Sequence, residues 1–196
     1  FWLQQANAFI AQKEYLQAAA NFEVVKMLGG ADREMYLLLG DIYVNLDAPT
    51  LALEPYNLAL STGEVKPEDA LSLAKVMSRR LPANQLKEFL TKITQTYKNT
   101  LNQENSLTLL TLKAANALSM DDKDGAMIML SEVVAKDPLN GSALLTLGSY
   151  YLQENELAKA LDYYNRASKV EAVQVDALLG ATRVLVKKGK YLLAIN

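Results

Sequence analysis

Apolar residues recur along this chain at helical spacing, most clearly in the stretch 144–164. It reads Leu144-x2-Leu147-Gly148-x2-Tyr151, passes through Asn155-Glu156-Leu157, and resumes as Ala160-x3-Tyr164. Steps of three and four place each set on one face of a helix. The stretch therefore predicts two short helices, A and B, joined by a tight turn. A short helix pair cannot bury its apolar face alone, so the next question is whether the unit repeats.

It does. The small residue of helix A falls at Ala6, Gly40 and Ala74, and with the same constant step at Ala114, Gly148 and Thr182. Between Ala74 and Ala114 the step is longer, which predicts six inserted residues. The small residue of helix B keeps the same arithmetic through Ala18, Ala52 and Leu86, then Ala126, Ala160 and Ala194. A large residue follows in phase at Phe22, Tyr56, Leu90, Leu130 and Tyr164. Six units result, at about 1–32, 33–66, 67–106, 107–140, 141–174 and a partial 175–196, with the insertion near 99–106.

This spacing of Leu-Gly-x2-Tyr and Ala-x3-aromatic resembles the tetratricopeptide repeat family over essentially the whole chain. The resemblance implies an all-α fold, a right-handed superhelix of stacked antiparallel helix pairs, and a scaffold that holds another protein or peptide. The departures from the pattern are local. Pro55 stands inside helix B of unit two, removes a backbone hydrogen bond to Leu51 and predicts a kink there. Leu86 stands where the family has alanine, so the helices of unit three are expected to separate, with helix B running on towards Tyr97. Pro67, Glu68 and Asp69 make a good helix start. The Asn, Gln and Ser content of 99–106 reads as a connection. Neither end carries a polar cap, which predicts a longer native chain and exposed ends that favour self-association.

Composition narrows the chemistry. Apolar residues make up 51% of the chain and charged residues 21%, ample for a core and unlike a disordered segment. The net charge of −2 and pI of about 5.3, without a basic arm, point away from nucleic acid. With no Cys and no His, the chain lacks disulfides, thiol chemistry, the usual zinc ligands and the commonest general base. No cofactor is expected. Absence of Cys suits the cytoplasm or a bacterial periplasm and envelope equally. No apolar run reaches the ~18 residues of a membrane span.

The resemblance also places a binding groove. In that family helix A lines the concave side, with positions near 2, 5, 9, 12 and 13 of each unit facing in. Carried over residue by residue, positions 9 and 13 are Asn7/Ala11, Asp41/Asn45, Lys75/Arg79, Ala115/Ser119, Ser149/Gln153 and Arg183/Lys187. Each pair is spaced i, i+4 and shares a helix face. Two pairs are doubly basic, extended by Arg80 and Lys188, and suit an acidic peptide segment. Leu37, Leu71, Leu145 and Leu179 at position 5 supply apolar burial. The clamp that some co-chaperones of the family use for C-terminal carboxylates needs Lys at position 5, and this chain has Leu or Thr there throughout.

Other candidates are weaker. Tyr15, Tyr36, Tyr43, Tyr56, Tyr151, Tyr164 and Tyr191 occupy packing positions of the family, which leaves Tyr150 and Tyr163 for an exposed surface. Asp121-Asp122-Lys123-Asp124-Gly125 looks like a calcium loop, but its glycine comes one position early. Ser72-x-x-Lys75 matches a hydrolase spacing with nothing around it to complete a site. The sequence therefore predicts a non-enzymatic protein-binding scaffold. The alternatives are the scaffold segment of a larger enzyme, or an assembly element of a bacterial envelope or secretion complex.

Overall fold

A computed structural model describes residues 1–189; Tyr191 and Ala194, assigned above to the last unit, lie outside the described residues. The described residues form eleven α-helices and no strand. The pairs are α1 (Trp2–Ala11) with α2 (Tyr15–Met27), α3 (Arg33–Asn45) with α4 (Pro49–Ser61), and α5 (Pro67–Met77) with α6 (Ala83–Thr96). They continue as α7 (Gln103–Ser119) with α8 (Lys123–Lys136) and α9 (Gly141–Gln153) with α10 (Leu157–Ala167). A short 3-10 turn at Glu171–Val173 leads into α11 (Gln174–Lys187), helix A of the last pair. This is the expected all-α stack of helix pairs, and it divides into two compact units, Phe1–Leu109 and residues from Leu110 onward.

The small residues explain the stacking. Ala6, Ala18, Ala52, Ala74, Ala114, Ala126 and Ala160 are all fully buried, which lets backbones approach within each pair. Gly40 is the extreme case. A Cβ there would lie 2.2 Å from the Tyr56 ring, so only glycine lets that ring lie on α3. In unit five Tyr164 has the same arrangement against Gly148 and also meets Gly180 of α11, where a Cβ would be 2.9 Å and 2.2 Å from its ring.

The turns carry a second periodic signal. Lys13 and Asp47, and then Asp121 and Asn155, stand one repeat apart within their halves of the chain, and all four have φ between 55° and 61°. Gly189 continues the series with φ 71°. The left-handed conformation reverses the chain within a tight turn, at a cost of about 1–2 kcal/mol for a non-glycine residue. Among the described residues no left-handed residue occurs in the turn between α5 and α6, where Leu81 is followed by Pro82 (φ −56°, ψ 145°). Unit three thus departs in its turn as well as in its packing.

Three irregularities resolve in physical terms. Helix α4 runs unbroken from Pro49 to Ser61 with Pro55 buried inside it. Helices α5 and α6 pack less closely than α3 and α4 or α9 and α10, as Leu86 predicts. The stretch 99–106 is only partly a connection. The chain turns at 97–102, and α7 begins at Gln103, so most of the insertion adds a turn to a helix. Asn102 starts that turn, its side chain accepting the Asn105 N–H at 2.8 Å, a standard role for Asn at a helix N-cap. Asn105 then donates to Glu68 of α5 at 2.6 Å.

The half-buried Tyr43 and the buried Tyr56 and Tyr97 make the fold sensitive to alkali. Tyr43 donates to Glu23 at 2.8 Å, Tyr56 to Asp41 at 2.7 Å and Tyr97 to the Val65 carbonyl at 2.7 Å. Burial first, and then the carboxylates beside them, hold all three phenols above the ordinary tyrosine value. A raised folded value means that this stability is fully present below pH ~10, the unfolded tyrosine value, and is lost as pH rises above it. Tyrosinate absorbance and helix content should therefore change together above that pH. Ten tyrosines titrating independently near pH ~10 with the helices intact would contradict this.

Candidate functional site

In the second compact unit α7 and α9, helix A of units four and five, flank an open cavity of about 430 Å³. Ala115, Leu118 and Ser119 line it from α7; Leu145, Thr146, Ser149, Tyr150 and Gln153 line it from α9. The α7 residues fall at i, i+3 and i+4, and the α9 residues at i, i+1, i+4, i+5 and i+8. Each set is one helix face, which is why the repeat spacing gathers them. Ala115, Ser119, Leu145, Ser149 and Gln153 are the expected positions 5, 9 and 13. Sequence reasoning passed over Leu118 and Thr146, and it assigned Tyr150 to surface without a role. The signal for all three was their place one step along the helix from Ser119, Leu145 and Ser149.

The cavity walls carry no charged side chain. Leu118, Leu145 and Ala115 provide apolar surface, and the hydroxyls of Ser119, Thr146, Ser149 and Tyr150 with the Gln153 amide provide donors and acceptors. Charge begins on the next helix A. Arg183 and Lys187 are exposed on α11, which packs against α9. Lys187 donates to the Leu152 carbonyl at 3.3 Å. The Ser149 side chain and the Arg183 charge are near enough to Tyr164 to act on its phenol. Burial raises the Tyr164 phenol, and the Ser149 bond and the Arg183 charge oppose that.

In the first unit Asn7, Asp41, Asn45, Lys75 and Arg79 are exposed and Leu37 is half-buried. Asp41 is not a free carboxylate, since it accepts from Tyr56. Arg80 does not extend the basic pair outward; its guanidinium bonds the Val44 carbonyl at 3.2 Å and sits 3.5 Å from Asp47. Leu71 corrects the sequence reading. It is 2% exposed and belongs to the core. Glu68 and Leu71 share a face of α5 at i, i+3, and the bond from Asn105 brings the added turn of α7 to that face. Leu179, by contrast, is 54% exposed on α11.

Tyr163 is not an open surface ring either. It stacks on Tyr151 with centroids 5.4 Å apart and planes 2° from parallel. Tyr150 meets Tyr151 edge-on at 5.1 Å. Lys159 lies 5.0 Å from the Tyr151 centroid and Arg166 5.4 Å from that of Tyr163, so the column is closed by cations at both rings. This packing fixes Tyr150, the wall of the cavity, from behind. In the calcium-like stretch, Asp122 accepts the Gly125 N–H at 3.0 Å as the cap of α8, and Asp121 is the left-handed turn residue. No helix among the described residues is long and apolar enough to cross a membrane.

Comparisons with known proteins agree with this architecture. The Pseudomonas aeruginosa protein PilF superposes with a TM-score of 0.60 at 15% identity, over 99% of this chain and 86% of PilF. PilW, a type IV pilus biogenesis factor, gives 0.63 at 20% identity over 99% and 87%. YrrB, described as having an unusual peptide-binding site, gives 0.58 at 19% identity over 90% and 88%. At these identities the likeness is one of fold. No curated protein matches the chain by sequence. The tetratricopeptide repeat family model matches residues 3–69 and 112–172, most of the chain and all but its irregular middle and its end. The chain belongs to the tetratricopeptide repeat family.

Proposed function

We propose that this chain is a protein-interaction scaffold that seats a segment of a partner protein on the helix-A face of its second unit, with the α7/α9 cavity as the anchor. The observation that carries this is the convergence of five positions, Ala115, Ser119, Leu145, Ser149 and Gln153, on one cavity of about 430 Å³. That volume is within the range of sites that enclose a ligand group. Its walls mix apolar surface with hydroxyl and amide groups, which is what an extended peptide requires. Side chains are buried against the leucines while backbone N–H and C=O groups pair with the hydroxyls. Nothing in the cavity resembles a nucleophile paired with a base, so the reading is binding rather than catalysis.

A photo-reactive phenylalanine placed at Gln153 tests the proposal, with the same group at the exposed Ile128 of α8 as the control. In extracts of the source cells, cross-linked adducts are expected from position 153 and not from 128. Adducts from 128 alone, or equal adducts from both, would move the binding surface to helix B and overturn the proposal.

A further inference from the structure

The cavity lies at the interval where the repeat lacks its floor. In unit five the Tyr164 ring reaches from α10 between Gly148 and Gly180, and Ser149 at position 9 follows Gly148 on the helix-A face. In unit two Tyr56 passes Gly40 in the same way and meets Asp41. In unit five the tyrosine ring thus fills the space between α9 and α11. Unit four carries Leu130 and Ala115 at those two positions, one repeat before Tyr164 and Ser149. A leucine lacks the reach of a phenol, and alanine offers nothing for a hydroxyl to meet. The α7/α9 interval combines a short floor residue with a small wall residue, and there the space remains open.

Resting on the groove reading above, we infer that this interval is a specificity pocket for one apolar side chain of an extended segment whose acidic residue pairs with Arg183. The apolar part follows from the uncharged walls and from Ala115, Leu118 and Leu145. A charged side chain buried there would find no counter-ion and would lose its hydration. The acidic part follows from α11. Among the described residues no carboxylate forms an ion pair with Arg183 or Lys187, so the two cations present an unneutralised charge beside the cavity. Packed helices lie ~8–10 Å apart, and an extended chain advances ~3.3 Å per residue. From the middle of the α7/α9 interval to α11 is one and a half such spacings, ~12–15 Å, so the acidic residue falls roughly four residues, within a range of three to five, from the apolar one.

Selection of a random dodecapeptide phage library on the purified chain tests this. The expected enrichment is an apolar residue with Asp or Glu three to five positions away. The variant combining Leu130→Tyr and Ala115→Ser with Ala114→Gly and Thr146→Gly, which supplies the two glycines that seat Tyr164 in unit five, should weaken an enriched peptide at least tenfold. Ser119→Phe is a second route to the same result, since it blocks the mouth from an exposed position and leaves the core untouched. Arg183→Glu with Lys187→Glu should retain the apolar preference and lose the acidic one. Circular dichroism of each variant verifies the fold. Enriched peptides that lack the apolar–acidic pairing, yet are displaced by Ser149→Arg, would overturn this inference and leave the groove reading standing. Peptides insensitive to Ser149→Arg, or no enrichment at all, would overturn both.

Discussion

Tyr56→Ala should lower the unfolding free energy by about 3–5 kcal/mol, the range for removing a large buried aromatic. Tyr56 is 1% exposed, its ring lies on the backbone of α3 at Gly40, and Phe89 of α6 stands 6.4 Å away. The ring therefore joins units two and three as well as the two helices of its own pair. Its truncation leaves a void bounded by helix backbone that cannot collapse, so the cavity cost persists. Tyr56→Phe isolates the hydroxyl, whose bond to the Asp41 carboxylate is worth about 1.5–3 kcal/mol by the usual measure of charged hydrogen bonds and less for a partner open to water. Gly40→Ala should also destabilise, because its Cβ would fall 2.2 Å from the ring, and the cost should shrink when combined with Tyr56→Leu. Urea unfolding followed by circular dichroism measures all four. Additive losses for Gly40→Ala and Tyr56→Leu would show that the ring and the glycine are not coupled.

The second large effect runs against the family pattern. Alanine is the residue that tetratricopeptide repeats place at the position of Leu86, so Leu86→Ala looks like a repair. It should instead cost about 2–5 kcal/mol. Leu86 is 3% exposed, and α5 and α6 have already moved apart to house it. Phe89, Leu90 and Ile93 of the same helix are buried around that wider spacing, so alanine would leave a hole instead of drawing the helices together. An unfolding midpoint unchanged or raised by the substitution would mean that unit three can relax to the regular geometry. The same comparison made at Ala52, where Leu should be the costly residue, gives the converse result.

These two residues also show where the sequence could be read and where it could not. The small residues at Ala6, Gly40, Ala114 and Gly148 were legible because close helix approach demands them, and their spacing alone located every pair. The looser packing of unit three followed from the size of Leu86. The start of α7 was not legible, because Asn102, Asn105 and Ser106 are as common at a helix N-terminus as in a loop, and only the cap geometry separates the two. Leu71 was misread because its position in the repeat faces a groove only when nothing else covers it. The added turn of α7, which only the folded chain reveals, reaches that face of α5. The cavity was half legible. Its residues at positions 5, 9 and 13 came from the period, whereas the part inferred above for Leu130, a buried residue on the other helix of the pair, needed the structure.

That dependence has a bearing on how such an array can change over time. Whether an interval between neighbouring helices A is filled or open turns on a helix-B residue and the helix-A residues that face it. All recur once in every repeat of the sequence. On the inference above, a Tyr-to-Leu substitution in one unit opens an interval, and the reverse closes it only where helix A also carries the glycine that seats the ring. On that inference, a recognition site in this protein moves along the array by changing the helix-B residue together with the helix-A residues that face it, one unit at a time.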